Sequence, residues 1–206
     1  MKVVIVFNHP YDGSFCNAIL QSVIAGLQKA RHEADVIHLD KDKFNPVMSA
    51  DDLKRFTQMK YIAQAGENAQ PSNDPQVLDY KKRLEAADHL IFIFPIWWEL
   101  MPALTKGFID RVIFPGIAYK YEKANKMVGS LNIKSVTLIT TMNTPALLYR
   151  VIFRNAIRHA LFTGTFWKLG YKNRKWISLN MVKFVSDIKR TKWLMQLEQR
   201  FAKLKG

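Results

Sequence analysis

Apolar and polar positions alternate along this chain in two recurring rhythms. Lys2–Phe7 (KVVIVF) is an unbroken apolar run after its lysine, the pattern of a strand covered on both faces. A turn-rich HPYDGS follows, and then Phe15, Ile19, Leu20, Val23, Ile24 and Leu27 recur at helical spacing. Ala34–Leu39 (ADVIHL) reads as a second short strand, so this β-α-β span fits a parallel, right-handed crossover. Residues 40–86 are the least regular: SADDLKRF predicts a helix capped at Ser49, PSNDP a break, and VLDYKKRLEAA another helix. DHLIFIFP predicts a third strand, and MPALTKGFIDRVI a helix with Pro102 in its first turn. Ser135–Thr141 predicts a fourth strand, followed by helical spacing through PALLYRVIFRNAIRHALF. KWISLNM predicts a fifth strand. The chain closes with an amphipathic helix over VSDIKRTKWLMQLEQRFAKL, with Ile188, Leu194, Leu197, Phe201 and Leu204 inward.

Strands alternating with helices predict an α/β protein: a three-layer α/β/α sandwich around a five-stranded parallel sheet, in one domain spanning residues 1–206. No internal repeat, low-complexity tract or linker interrupts it. In such sheets ligands sit at the carboxyl ends of the strands near the switch in strand order. The loops after Phe7, Phe94 and Ile139 are therefore the candidates.

A hydrophobic content of 49% with 23% charged residues is globular composition, which argues against disorder. The first residues read as a strand and not as a signal peptide, and no apolar run approaches the ~18 residues that span a bilayer. The single Cys16 rules out an intramolecular disulfide, argues against a thiolate metal cluster and fits a reducing, cytoplasmic setting; no metal site is expected. The net charge of +14 is lopsided: Arg150–Gly206 holds 14 Lys or Arg and two acids, so +12 of it lies there. That excess reads either as a solvated basic face or as a surface for an anionic partner, such as a phosphorylated cofactor or a membrane. No short nucleic-acid signature is present, so a nucleic-acid partner is not expected.

In the first loop, NHPYDGSFCNAI, Gly13-Ser14 precedes the helix. The residues allow a plain N-cap at Ser14 and a loop histidine at His9, or a phosphate held at the positive helix terminus. Neither GxGxxG nor GxxxxGK[ST] occurs, so a dinucleotide fingerprint and a triphosphatase loop are unsupported. In the second loop Trp97 and Trp98 end a buried strand, either as an aromatic plug or as the wall of a flat ligand. The third, TTMNTP, contributes hydroxyls and an amide.

Taken together these loops resemble the flavodoxin-like NAD(P)H:quinone oxidoreductases, a family that includes bacterial quinone reductases and potassium-efflux ancillary flavoproteins. The resemblance rests on His9 with Ser14-Phe15 opening the helix and on the whole stretch FPIWWELMPALTKGFIDRVI, with Trp98, Pro102 and Lys106-Gly107 in register. It continues into PGIAYKY and LITT, covers residues 1–145 well and the remainder loosely. It implies a flavodoxin-like fold with FMN or FAD as cofactor and NADPH or NADH as hydride donor to flavin N5. A quinone-like small molecule then accepts two electrons at the same site. Carried over residue by residue, His9, Ser14, Phe15 and Cys16 hold the phosphate end. Pro95, Ile96, Trp97 and Trp98 wrap the isoalloxazine, and Thr140, Thr141, Met142 and Asn143 line the pyrimidine side. Tyr119 and Tyr121 line a substrate pocket across a homodimer interface.

Two departures stand out. Met142-Asn143 replace the glycine pair typical of the family's third loop, where glycine permits close backbone approach. Tyr149 lies near the distance expected of the family's catalytic tyrosine, whereas His159 falls in a stretch without matching register. The competing reading, from another class, is a non-catalytic or weakly catalytic regulatory protein that docks on a membrane transporter through its basic C-terminal third. An acidic electron-carrying flavodoxin does not match this basic chain.

Overall fold

The structure, a computed structural model, describes residues 1–65, 71–122 and 126–205, with side chains described outside 59–65. Five strands form one parallel sheet: β1 (Lys2–Phe7), β2 (Glu33–His38), β3 (His89–Pro95), β6 (Ser135–Thr141) and β7 (Arg174–Leu179), in the order β2-β1-β3-β6-β7. Between β3 and β6 a small antiparallel hairpin, β4 (Tyr119–Tyr121) with β5 (Met127–Gly129), stands apart from the sheet. No strand was expected there, because three-residue strands carry no periodicity to read.

β3 is central, and Leu90 to Phe94 have no exposed surface at all. Burying each such side chain is worth about 1.5–3 kcal/mol, which explains why this strand is apolar on both faces. One face is covered by α1 (Phe15–Lys29) and α6 (Asp187–Ala202). The other is covered by α3 (Pro75–Glu85), α4 (Ala103–Arg111) and a π-helical segment, Arg158–Trp167. The three-layer α/β sandwich is therefore present. α1 and α6 approach closely at Gly26, where a Cβ would stand 2.4 Å from the Glu198 carbonyl oxygen.

α2 (Ala50–Ala65) opens as expected at Ser49. Its Oγ accepts the Asp52 N–H at 3.1 Å, and Asp52 Oδ2 accepts the Ser49 N–H at 2.8 Å. Asp52 and Asp74, the N-cap of α3, both accept from Arg111 at the end of α4 (3.2 and 2.9 Å), while Arg111 also donates to the Asn45 carbonyl at 2.7 Å. One buried guanidinium thus ties three helices together.

The long helix expected through residues 145–162 does not form as such. α5 (Ala146–Val151) is short, and the chain turns at Arg154 and Asn155, both at positive φ (48° and 51°). The β-branched pair Val151-Ile152 weakens the helix there, and asparagine tolerates the left-handed region. The chain then winds as a π-helix, in which Thr165 Oγ1 donates to the carbonyl of Ala160, five residues back, at 3.1 Å. α6 also departs from expectation at one position: Ile188 is 82% exposed. It lies in the first turn, whereas the buried residues Leu197 and Phe201 lie in the half that meets α1.

Candidate functional site

The carboxyl end of β1 is pinned by Asn8. Its side-chain amide donates to Asp40 at 2.9 Å, and its oxygen accepts from the Thr105 hydroxyl at 2.9 Å. The chain then turns through Tyr11–Ser14, closed by the Ser14 N–H on the Tyr11 carbonyl at 3.1 Å. The Tyr11 ring lies against Gly13 so tightly that a Cβ there would meet it at 2.5 Å. Ser14 caps α1 by accepting the Asn17 N–H at 3.1 Å. The N–H groups of Phe15 and Cys16 belong to the first turn, which has no intrahelical acceptors. Cys16 is buried with its sulfur 3.2 Å from Thr141 Oγ1, and burial pushes its thiol up to about 11, so it stays protonated and is no nucleophile.

The second loop answers why two tryptophans stand together. Trp97 and Leu100 exchange N–H···O bonds at 3.0 and 3.1 Å, closing a two-residue turn whose central residues, Trp98 and Glu99, both have positive φ (48° and 65°). Such a turn points neighbouring side chains in different directions. Trp97 is half-exposed and meets the His9 ring edge-on at 6.4 Å. Trp98 is 98% exposed. Left-handed backbone at two non-glycine residues costs about 1 kcal/mol or more each and persists only where its surroundings hold it. Here Tyr149 Oη donates to the Glu99 carbonyl at 2.8 Å, and Thr144 Oγ1 donates to Glu99 Oε1 at 3.0 Å. Glu99 Oε2 is buried with no hydrogen-bond partner.

The third loop reaches the same place without glycine. Met142 and Asn143 keep ordinary negative φ. Met142 buries its side chain in the core, its N–H donates to the Leu179 carbonyl at 3.0 Å, and Asn143 Oδ1 accepts the Lys183 N–H at 3.1 Å. The loop is thus latched to the chain after β7.

These ends enclose one cleft of about 450 Å³. The first loop contributes His9, Ser14, Phe15 and Cys16; the second Pro95, Ile96 and Trp97; the third Thr141, Met142 and Asn143. Tyr11, Val182 and Lys183 also line it, though no sequence argument singled them out. The rule that placed the other loops applies equally to the one after β7, and extending it there would have found Lys183.

Other expected residues lie elsewhere. Thr140 is fully buried and accepts the Trp176 indole N–H at 2.9 Å. Tyr119 packs on Tyr121 (centroids 5.7 Å apart) and lines a separate apolar cavity of about 330 Å³ with Leu53 and Phe56 of α2. Tyr149 is 1% exposed, and its hydroxyl, which donates to Glu99, accepts the Ile157 N–H at 3.1 Å. Burial raises its pKa. His159 is exposed on the π-helix.

A parallel sheet in this order, with a cleft at its carboxyl ends beside a capped helix N-terminus, defines a doubly wound α/β protein whose candidate site lies at the switch between β1 and β3. Comparison with known proteins agrees. The chain belongs to the flavodoxin-like fold family, which it matches over residues 1–204. It is 33% identical over 153 residues to the ribosyldihydronicotinamide dehydrogenase-like protein traD of Penicillium crustosum, covering 69% of this chain and 57% of that one. It is 32% identical over 145 residues to NAD(P)H dehydrogenase (quinone) 1 of Cavia porcellus, covering 68% and 53%. The chain thus spans little more than half the length of these two relatives. Among solved structures, an NAD(P)H:quinone oxidoreductase from Methanothermobacter marburgensis superposes with a TM-score of 0.85 at 27% identity, covering 100% of this chain and 99% of that one.

Proposed function

We propose that this chain is a flavin-dependent oxidoreductase in which bound FMN takes a hydride from NADPH or NADH and passes two electrons to a quinone-like acceptor. The observation that carries this reading is the cleft to which the ends of β1, β3, β6 and β7 all contribute, walled by Trp97 and Ile96 and flanked by the N-terminus of α1. The residues present fit such a group. The first N–H groups of α1 and the Ser14 cap suit a phosphate, and Lys183 adds a positive charge to the same cleft. His9 Nδ1 accepts the Tyr11 N–H at 3.1 Å, so the neutral ring carries its proton on Nε2, ready to donate. Thr141, Met142 and Asn143 supply the polar edge without a Cβ-free backbone, because the Met142 side chain is turned into the core.

In this reading Tyr149 is a positioning residue that holds the Trp97–Leu100 turn, since its proton is committed to the Glu99 carbonyl. FMN is favoured over FAD because a relative 28% identical over 145 residues is an FMN-dependent NADH:quinone oxidoreductase. The reading includes a homodimer, supported by Tyr119 and Tyr121 standing outside their own chain's cleft, as residues serving a second copy's cleft do. It also includes a cytoplasmic setting, which the free, buried Cys16 suits. No helix among the described residues is long and apolar enough to cross a membrane.

The test is the visible spectrum of the purified protein, loaded in turn with FMN and FAD and treated without oxygen with NADPH, NADH and menadione. Flavin bands near ~450 nm that bleach with the nucleotide and return with menadione are expected. A protein that binds neither flavin refutes the cofactor and leaves the docking-protein alternative. Bleaching without reoxidation refutes the acceptor alone.

A further inference from the structure

β7 is the last strand of the sheet, and its outer side is open. The Val136 N–H donates to the Asn173 carbonyl at 2.9 Å and the Met142 N–H to the Leu179 carbonyl at 3.0 Å, so the odd-numbered residues of β7 face β6. Arg174, Trp176 and Ser178 therefore turn their backbone N–H and C=O groups outward, where nothing among the described residues bonds them. A row of unpaired backbone groups is a template for a further strand. A second feature lies beside it. β7 and α6 enclose a cavity of about 420 Å³ floored by Ile177, Leu179, Trp193 and Leu197. An open edge gives a peptide its main-chain bonds, and an adjoining pocket for alternate side chains selects which peptide binds.

Charge selects the occupant. Arg200 and Lys203 line the cavity, and Lys175 shares a face of β7 with Ile177 and Leu179. No carboxylate lines the cavity, and among the described residues none pairs with these three cations. The stretch from Lys123 to Ser186, which includes β7, holds 11 Lys or Arg and not one Asp or Glu. A second copy's β7 would set basic side chains against basic side chains, which disfavours pairing edge to edge. A strand bearing glutamates on the face that meets α6, with an apolar residue between them, satisfies the cations and covers the apolar floor. The cavity lies on the side of the sheet covered by α1 and α6, whereas Tyr119 and Tyr121 belong to the other side. An occupant here therefore stands apart from a homodimer in which those tyrosines serve a second copy's cleft.

We propose that the open edge of β7 and the cavity beside it take an extended acidic segment of another protein as a further strand of the sheet. This goes beyond the redox reading, and its test involves neither flavin nor turnover, so either can fail alone. The probe is the end-blocked peptide Thr-Glu-Thr-Leu-Thr-Glu-Thr, titrated into the full chain by calorimetry at low and high salt, with a lysine-for-glutamate version as control. The acidic peptide binds, salt weakens it, and the lysine peptide does not bind. At saturation the backbone amide protons of Trp176 and Ser178 exchange with solvent roughly tenfold more slowly, because they gain acceptors. Arg200→Gln with Lys203→Gln, both at exposed positions, weakens binding on the order of tenfold with unchanged melting. No binding of the acidic peptide, equal binding of the lysine peptide, or binding that the variant pair leaves intact overturns the proposal. Binding without slower exchange at Trp176 and Ser178 overturns it too. So does a peptide that turns a dimer into a monomer in sedimentation equilibrium, which assigns the edge to a second copy.

Discussion

Replacing Tyr149 with phenylalanine removes one oxygen and keeps the ring that anchors α5. That oxygen serves two backbone groups, accepting the Ile157 N–H at 3.1 Å and donating to the Glu99 carbonyl at 2.8 Å. Ile157 is fully buried, so its N–H is left without water or partner, a loss of about 1–3 kcal/mol. The Glu99 carbonyl is only partly buried, so its loss is nearer about 0.5–1 kcal/mol. Together these give about 1.5–4 kcal/mol, or about 3–16 °C in melting temperature for a chain of this size. The same oxygen restrains a turn with two left-handed non-glycine residues, so the cleft wall at Trp97 loosens too. Guanidinium unfolding measures the first effect and FMN titration of the apoprotein the second. Both stability and FMN affinity fall in Tyr149→Phe, while the pH profile of turnover keeps its shape. Unchanged stability and affinity, with turnover lower by about a hundredfold, would refute the positioning role and make Tyr149 an acid catalyst.

The two tryptophans differ in kind. Trp97→Ala weakens FMN binding by about 2 kcal/mol, some thirtyfold in Kd, whereas Trp98→Ala leaves it within about twofold; equal losses in titration contradict the split seen at the turn. Arg111→Ala strands Asp52 and Asp74 beside a buried gap and lowers stability by about 3–5 kcal/mol in urea melts; a loss under about 1 kcal/mol shows that the ion cluster ties no helices. His89 is buried at the start of β3, and burial pushes its pKa down from 6.5 to about 4. The unfolded chain therefore takes up a proton first, and stability present above pH 6.5 is lost progressively as pH falls towards 4, by about 3 kcal/mol. Denaturant melts across that range measure the loss, and His89→Asn flattens the profile; a wild-type curve as flat as the variant's rules the linkage out. Gly107→Ala drives a Cβ to 2.3 Å from Pro46, so it lowers the melting temperature by several degrees through a shift of α4, and an unchanged melt contradicts that packing.

Local chemistry made much of this protein legible. The apolar run of β3, the Ser14 and Ser49 caps and the helical spacing of α1 each depend on residues within a few positions, so spacing revealed them. The strand ends likewise located the cleft, because parallel βα units present their loops on one edge. Only the tertiary structure decided the rest, and always through partners distant in sequence. Trp97 and Trp98 are identical side chains, and a turn held by Tyr149, some fifty residues away, turns one into the cleft and the other to solvent. The break after α5 depends on Ile157 and Asn155 bonding back to Tyr149. Met142 can stand at the edge of the cleft because its side chain is accepted by a core assembled from other elements. Lys183 joins the cleft because Asn143 latches its backbone across 40 residues. Hydrogen bonds that close over such separations leave no periodic trace, since nothing in a residue's neighbours along the chain records which distant group will satisfy it.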